Sequence, residues 1–257
     1  SMPSLVERYT NEILEICENA NVRATFFILG WIAERHPQVV RCIADAGHEI
    51  GTHSHWHRRV YDLTPDEFRE DMIQSISSIE SAAGVKVEGF RAPSFSITPG
   101  TEWAIDILHE LGILYDASLF PALRAHGGYS CHKNAHFFNK APSERPIAEL
   151  PMSIMNLGPF ETAFSGGGYL RFLPLRIIEK GIRQLGKEGI PTVVYLHPRD
   201  FAPDCPRVPM PLKRHFKCYT GMKTTAPKLK YLLNKYKWGT CKEVLIQQLG
   251  SSWTNCE

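Results

Sequence analysis

The sequence predicts an α/β protein built on a parallel sheet. Short apolar strands alternate with amphipathic helices, the pattern expected when parallel strands are covered by helices. At least six such strands can be read, and no second glycine-rich nucleotide turn lies among them, which favours a barrel over an open sheet. In a parallel barrel the chemistry sits at the carboxyl ends of the strands.

The elements follow in order. Leu5, Tyr9, Ile13, Ile16 and Ala20 recur at helical spacing and open the chain with an amphipathic helix. Residues 24–29 (Ala-Thr-Phe-Phe-Ile-Leu) read as a fully buried strand. Pro37 suits a first helical turn, and Gly47 closes that helix. Residues 49–52 form the next strand. Thr64-Pro65-Asp66-Glu67 is a helix start, with Thr64 as N-cap, Pro65 at the first position and Glu67 completing a capping box. Phe68, Met72, Ile76 and Ile79 make its core stripe, which ends near Gly84. Further strands are predicted at 89–91, 114–116, 149–152 and 192–196. Helices are predicted from Pro99 to about Leu111, from about Pro174 to Lys187 and from about Thr225 to Tyr236.

The chain of 257 residues is long enough for a substantial core, and 43% hydrophobic with 22% charged residues is ordinary globular composition. We read residues 1–249 as a single domain and 250–257 as a tail. A net charge of +2 gives no case for nucleic acid or an anionic membrane as a partner. Apolar runs fall far short of the ~20 residues that span a bilayer. The seven cysteines are odd in number and contain no CxxC pair, so reduced thiols and a cytoplasmic location are expected. No signal peptide is visible at the start.

His53-Ser54-His55-Trp56-His57 carries the sharpest chemical signal. Two imidazoles four residues apart, just past a strand, can converge on one cation, and zinc takes such nitrogens readily. An exposed polar loop is the plain alternative. His48 precedes the strand and suits a structural place. Three more strand ends carry polar groups: Arg91 with Pro93, Asp116 with Ser118, and His197 with Pro198. Gly166-Gly167-Gly168 could bring backbone amides close to a ligand, with Tyr169 beside them to stack on a sugar, although a flexible turn explains the glycines more simply.

These segments give the chain a family resemblance. Residues 23–31 (Arg-Ala-Thr-Phe-Phe-Ile-Leu-Gly-Trp), Gly47-His48-Glu49-Ile50 with 53–57, Arg91-Ala92-Pro93-Ser94-Phe95-Ser96, Tyr115-Asp116-Ala117-Ser118 and Tyr195-Leu196-His197-Pro198 follow the order and spacing of the polysaccharide deacetylase family. This is also called the NodB-homology or carbohydrate esterase family four fold. The likeness runs from about Leu5 to Leu245 and is greatest to the branch found with bacterial exopolysaccharide loci. It implies a distorted (β/α) barrel and metal-dependent removal of acetyl groups from an N-acetylated polysaccharide.

Residue by residue, the resemblance makes His53 and His57 ligands of Zn2+ or another divalent transition metal, and Ser54 the hydroxyl that holds their loop. Arg91 matches the arginine that orients the catalytic base, and the Ser94 N–H a donor to the oxyanion. His197 matches the general acid, and Asp116 the carboxylate that tunes it. The family's acidic pair at the end of its first strand has no match before the opening helix, where only Ser1 to Ser4 stand. The base, the third ligand and the first barrel strand are therefore expected to be missing from this chain. Phe120 stands near the place of a family tryptophan, and Ser94 in the place of an aromatic. A non-catalytic glycan-binding relative, with Tyr169, Trp56 and Phe95 as stacking residues, is the alternative reading.

Overall fold

The computed structural model describes residues 5–122 and 127–254. Ser1 to Ser4 and the last three residues of the tail lie outside them. The described chain is α/β, with elements close to those the periodicity predicts. α1 (Val6–Asn19) leads to β1 (Thr25–Ile28), α2 (Gly30–Arg35), α3 (Pro37–Asp45) and β2 (Glu49–Thr52). α4 (Pro65–Ala83) begins with the predicted capping box and ends at Gly84, whose φ of 72° makes a left-handed cap. β3 (Gly89–Phe90), α5 (Trp103–Glu110), β4 (Tyr115–Asp116), β5 (His136–Phe138) and β6 (Ile147–Glu149) follow. Then come β7 (Ile154–Leu157), β8 (Phe160–Ala163), α6 (Gly167–Phe172), α7 (Leu175–Lys187), α8 (Leu212–Tyr219), α9 (Thr225–Lys235) and α10 (Cys241–Leu249).

The chain divides into two compact units. The sheet unit comprises Arg23–Met152 with Gly239–Glu257. Its six strands run in the order β1-β2-β3-β4-β6-β5, parallel throughout except for β5. Because β1 ends the order, Thr25, Phe26 and Phe27 are only half-buried, where the sequence predicts full burial. Phe68 of α4 sets its ring edge-on to Phe90 of β3 and to Trp103 of α5, and Met72 and Ile79 continue the stripe into the core. α5 starts at Trp103 and not at Pro99, because Gly100 takes φ 97° and Thr101 folds its hydroxyl onto the Thr98 carbonyl.

The helical unit comprises Ser1–Val22 with Ser153–Trp238. Phe164, Leu170, Ile178, Ile182, Leu185 and Leu232 form its core. β7 and β8 pair as an antiparallel hairpin that the apolar pattern does not announce. The predicted strand at 192–196 is reduced to one parallel bridge, Tyr195 to Gly166. Side-chain hydroxyls take the place of its ladder: the Val193 N–H donates to Ser153 Oγ at 2.8 Å, and its carbonyl accepts from Ser165 Oγ at 2.7 Å.

Thr64 Oγ1 accepts from the Glu67 N–H while the Glu67 carboxylate accepts from the Thr64 N–H. Thr64→Ala is expected to lose about 1 kcal/mol of stability, and Thr64→Ser to keep most of it. A urea titration of the three proteins, with unchanged slope, checks this.

Candidate active site

The carboxyl edge of the sheet is knit by backbone bonds that run one residue past each strand. The His53 N–H reaches the Ile28 carbonyl at 2.8 Å, that of Arg91 the Thr52 carbonyl at 3.0 Å, that of Ala117 the Phe90 carbonyl at 2.9 Å and that of Leu150 the Asp116 carbonyl at 3.0 Å. His53, Arg91, Asp116 and Glu149 therefore share one end of the sheet.

The histidine loop is held from several sides. Ser54 and His57 take φ of 67° and 59°, a region that non-glycine residues enter at a cost. Ser54 is buried, and its Oγ accepts from the His57 N–H at 3.1 Å. The Asp71 carboxylate of α4, also buried, accepts from the N–H groups of His55 (2.7 Å) and Trp56 (3.2 Å). This positions the rings of His53 and His57 with centroids 5.1 Å apart at 71°. His53 Nδ1 lies 2.6 Å from the Arg91 carbonyl oxygen, which can only accept. Nδ1 therefore carries the proton, and Nε2 bears the lone pair that a metal would use. His55 points away into the core, fully buried. His48 accepts from the Ala24 N–H at 3.1 Å and packs against Phe26, as a structural residue does.

Arg91 donates from Nε to the Ala117 carbonyl at 2.9 Å and lies over the Phe27 ring, while its buried Nη2 has no hydrogen-bond partner among the described residues. Asp116 and Glu149 are register partners on β4 and β6, both fully buried. Asp116 Oδ1 accepts from the Ala117 N–H and from Ser118 Oγ, and Glu149 Oε1 accepts from the Leu119 N–H. Their other oxygens, Oδ2 and Oε2, meet no N–H or O–H among the described residues. The two carboxyls face each other as register partners on adjacent strands. Burial pushes both acids up, and Glu149 is pushed well above the ordinary carboxylate range because Asp116 adds its charge; Arg91 opposes the rise. Of the two, Glu149 is the acid that burial and the neighbouring charge favour most in its protonated form.

The sequence does not single out Glu149, because it takes 149–152 as a strand that begins there. In the structure β6 ends there, and Pro151, which has no N–H to give a ladder, is the residue that could have shown this. Ser94 is exposed in a short turn, Pro93–Phe95, where Ser94 and Phe95 both have φ of 58°. Phe95 is buried against Phe120 and offers no face to a sugar, whereas Trp56 is exposed.

His197 and Tyr169 belong to the helical unit. The resemblance assigns Asp116 to tune His197, but the carboxylate on this ring is Asp200, with Oδ2 3.3 Å from Nδ1 and 2.9 Å from the His197 N–H. Asp116 is engaged within its own sheet, as described above. Asp200 is buried and also takes Arg171 Nε at 3.0 Å. Burial alone would raise this carboxyl; the hydrogen bonds from His197 and the charges of His197 and Arg171 hold it below the ordinary range. Two of the three glycines, Gly166 and Gly167, are a packing device here and not a flexible turn. A Cβ on Gly166 would stand 2.0 Å from the Tyr195 ring, and one on Gly167 2.3 Å from Asp200 Oδ2. Tyr169 follows in the first turn of α6, half-buried.

Paired histidines, an arginine and two carboxylates thus gather at the carboxyl edge of a parallel α/β sheet. Residues 2–115 match the polysaccharide deacetylase family, and residues 117–246 match a domain of unknown function, DUF3473. The chain thus carries a polysaccharide deacetylase domain over residues 2–115, and the DUF3473 domain takes up about half of its length. It is 30% identical over 120 residues to a peptidoglycan-N-acetylglucosamine deacetylase of Bacillus cereus, covering 42% of this chain and 44% of that one. The chain spans less than half the length of the curated relatives it matches. Among solved structures, PuuE allantoinase superposes with a TM-score of 0.64 at 16% identity, over 95% of this chain and 72% of that one. A carbohydrate esterase family four pseudoenzyme of Bacillus anthracis, BA3943, does so with a TM-score of 0.55 at 19% identity, over 95% and 62%. These structural likenesses establish the fold.

Folding raises the proton affinity of Asp116 and Glu149, so the folded state binds more protons than the unfolded one. Stability should therefore fall as pH rises from about 4 through the raised values. Glu149→Gln removes one of the two titrating acids and is expected to flatten that decline. Urea midpoints of both proteins across this range would show it, and parallel curves would contradict the raised proton affinity of Glu149.

Proposed function

We propose that this protein is a zinc-dependent hydrolase that removes N-acetyl groups from a polysaccharide. The observation that carries this reading is the His53–His57 pair, with His53 fixed in one tautomer by the Arg91 carbonyl. Both imidazoles fit a divalent transition metal, and the backbone carbonyl behind His53 is the kind of outer partner that orients metal-bound histidine. When bound, zinc would polarise the acetyl carbonyl and make a water acidic enough to attack it. The buried, unpaired Nη2 of Arg91 suits a carboxylate or a substrate oxygen. In this reading the exposed Ser94 N–H donates to the oxyanion. His197 passes a proton to the departing amine, and Asp200 holds the ring in place for that transfer. The serine at position 94, where the family resemblance implies an aromatic, supports a place in the exopolysaccharide-locus branch.

A second reading is a glycan-binding relative that does not hydrolyse. One observation favours it: among the described residues no group of three or more His, Cys, Asp or Glu side chains is gathered to hold a metal. Zinc sites ordinarily use three or four protein ligands.

Acetate release from N-acetylglucosamine oligomers, with and without added zinc, separates the two. The hydrolase reading expects zinc-dependent release from a chain that also carries the acidic pair supplying the base, lost in His53→Ala and lowered about 100-fold or more in His197→Ala. Glycan binding that survives chelation, with no acetate released, supports the second reading. Asp200→Asn is expected to lower kcat about tenfold with KM little changed, as for a group that positions the acid. An equal rise in KM at constant kcat would remove Asp200 from that role.

A further inference from the structure

Between Cys205 and Lys242 the chain holds ten Lys and Arg and no Asp or Glu. The net charge of +2 hides this segregation, because the rest of the chain is net acidic. α8 lies inside the basic run. Leu212 is 87% exposed, and Phe216, one turn later on the same helix, is 58% exposed. Phe216 stacks at 5.2 Å and 6° on Phe172 of α6, itself exposed. Arg214 and Lys217 line the same open groove.

The display is held in place. The buried Arg171 guanidinium donates to the carbonyls of Lys217 (2.8 Å), Cys218 (3.2 Å) and Thr220 (3.1 Å), satisfying the last turn of α8. The acids that precede the basic run are occupied elsewhere: Asp200 by Arg171 and His197, Asp204 by Arg8 and Tyr9. They do not neutralise the cations of α8.

Apolar side chains at i and i+4 with cations beside them mark a helix that lies in a bilayer interface. The acyl boundary suits Leu212, Phe216 and Phe172, and headgroup phosphates suit Arg214 and Lys217. A glycan platform would present separate open aromatic faces, but here Phe216 and Phe172 each give one face to the other, and Leu212 has no ring. We infer that the α8 face docks the protein peripherally on a bilayer surface carrying anionic phospholipid. This goes beyond the deacetylase reading and does not depend on it.

The test is co-sedimentation of the full chain with vesicles of phosphatidylcholine alone, or with a third of the lipid replaced by phosphatidylglycerol. Partitioning is expected to be about tenfold or more stronger on the anionic vesicles and to weaken with salt. Leu212→Asp alone, Leu212→Asp with Phe216→Asp, and Arg214→Glu with Lys217→Glu should each lose about tenfold, with far-UV circular dichroism unchanged. No preference for anionic vesicles overturns the proposal. So does binding that ignores Leu212→Asp and is matched by retention on alginate, which would assign the basic run to an acidic polysaccharide.

Discussion

The sheet unit's site depends on Arg91. Its N–H extends the ladder from β2, its carbonyl fixes the tautomer of His53, and its Nε ties the β3 end to the Ala117 carbonyl. Its charge is also felt by the buried carboxyls of Asp116 and Glu149. One residue thus couples the histidine loop to the acidic end of the sheet. A lysine would keep the charge but not the planar fork that serves several acceptors at once.

The helical unit is organised around a second buried arginine. Arg171 pairs with Asp200, and the same guanidinium satisfies the C-terminal carbonyls of α8. Asp200 in turn holds His197 and packs against Gly167, where any larger residue would collide. Two charges this deeply buried are tolerable only because nearly every lone pair and proton finds a partner. The geometry around His197 and the exposed face of α8 are therefore set by one network.

Much of the fold is legible in the sequence. The capping box at Thr64, the apolar stripe of α4 and the short strands from Glu49 to Asp116 all use local signals. The site is legible where a strand end meets a titratable side chain, as at His53, Arg91 and Asp116. What escapes is what only tertiary pairing decides. Asp71 looks like a helix-surface acid in the sequence, yet it caps the loop amides of His55 and Trp56. Asp200 lies in a loop three residues beyond His197, with nothing local to mark its bond to Arg171. The 192–196 segment has strand composition but gives its backbone bonds to serine hydroxyls, which propensity does not encode.

The carboxyl pair bears on whether the sheet edge was shaped only to bind. Asp116 and Glu149 are fully buried, and both have their proton affinity raised by that burial. A binding surface needs no such arrangement, since apolar side chains of similar volume would cost less there. Strained backbone stands beside it: Ser54, His57, Ser94 and Phe95 all hold positive φ without being glycine. Each such residue costs on the order of 1–3 kcal/mol and persists only where surrounding contacts enforce it. Perturbed acids and enforced strain at one end of one sheet are features of sites built for chemistry, and they favour the hydrolase reading over passive glycan capture.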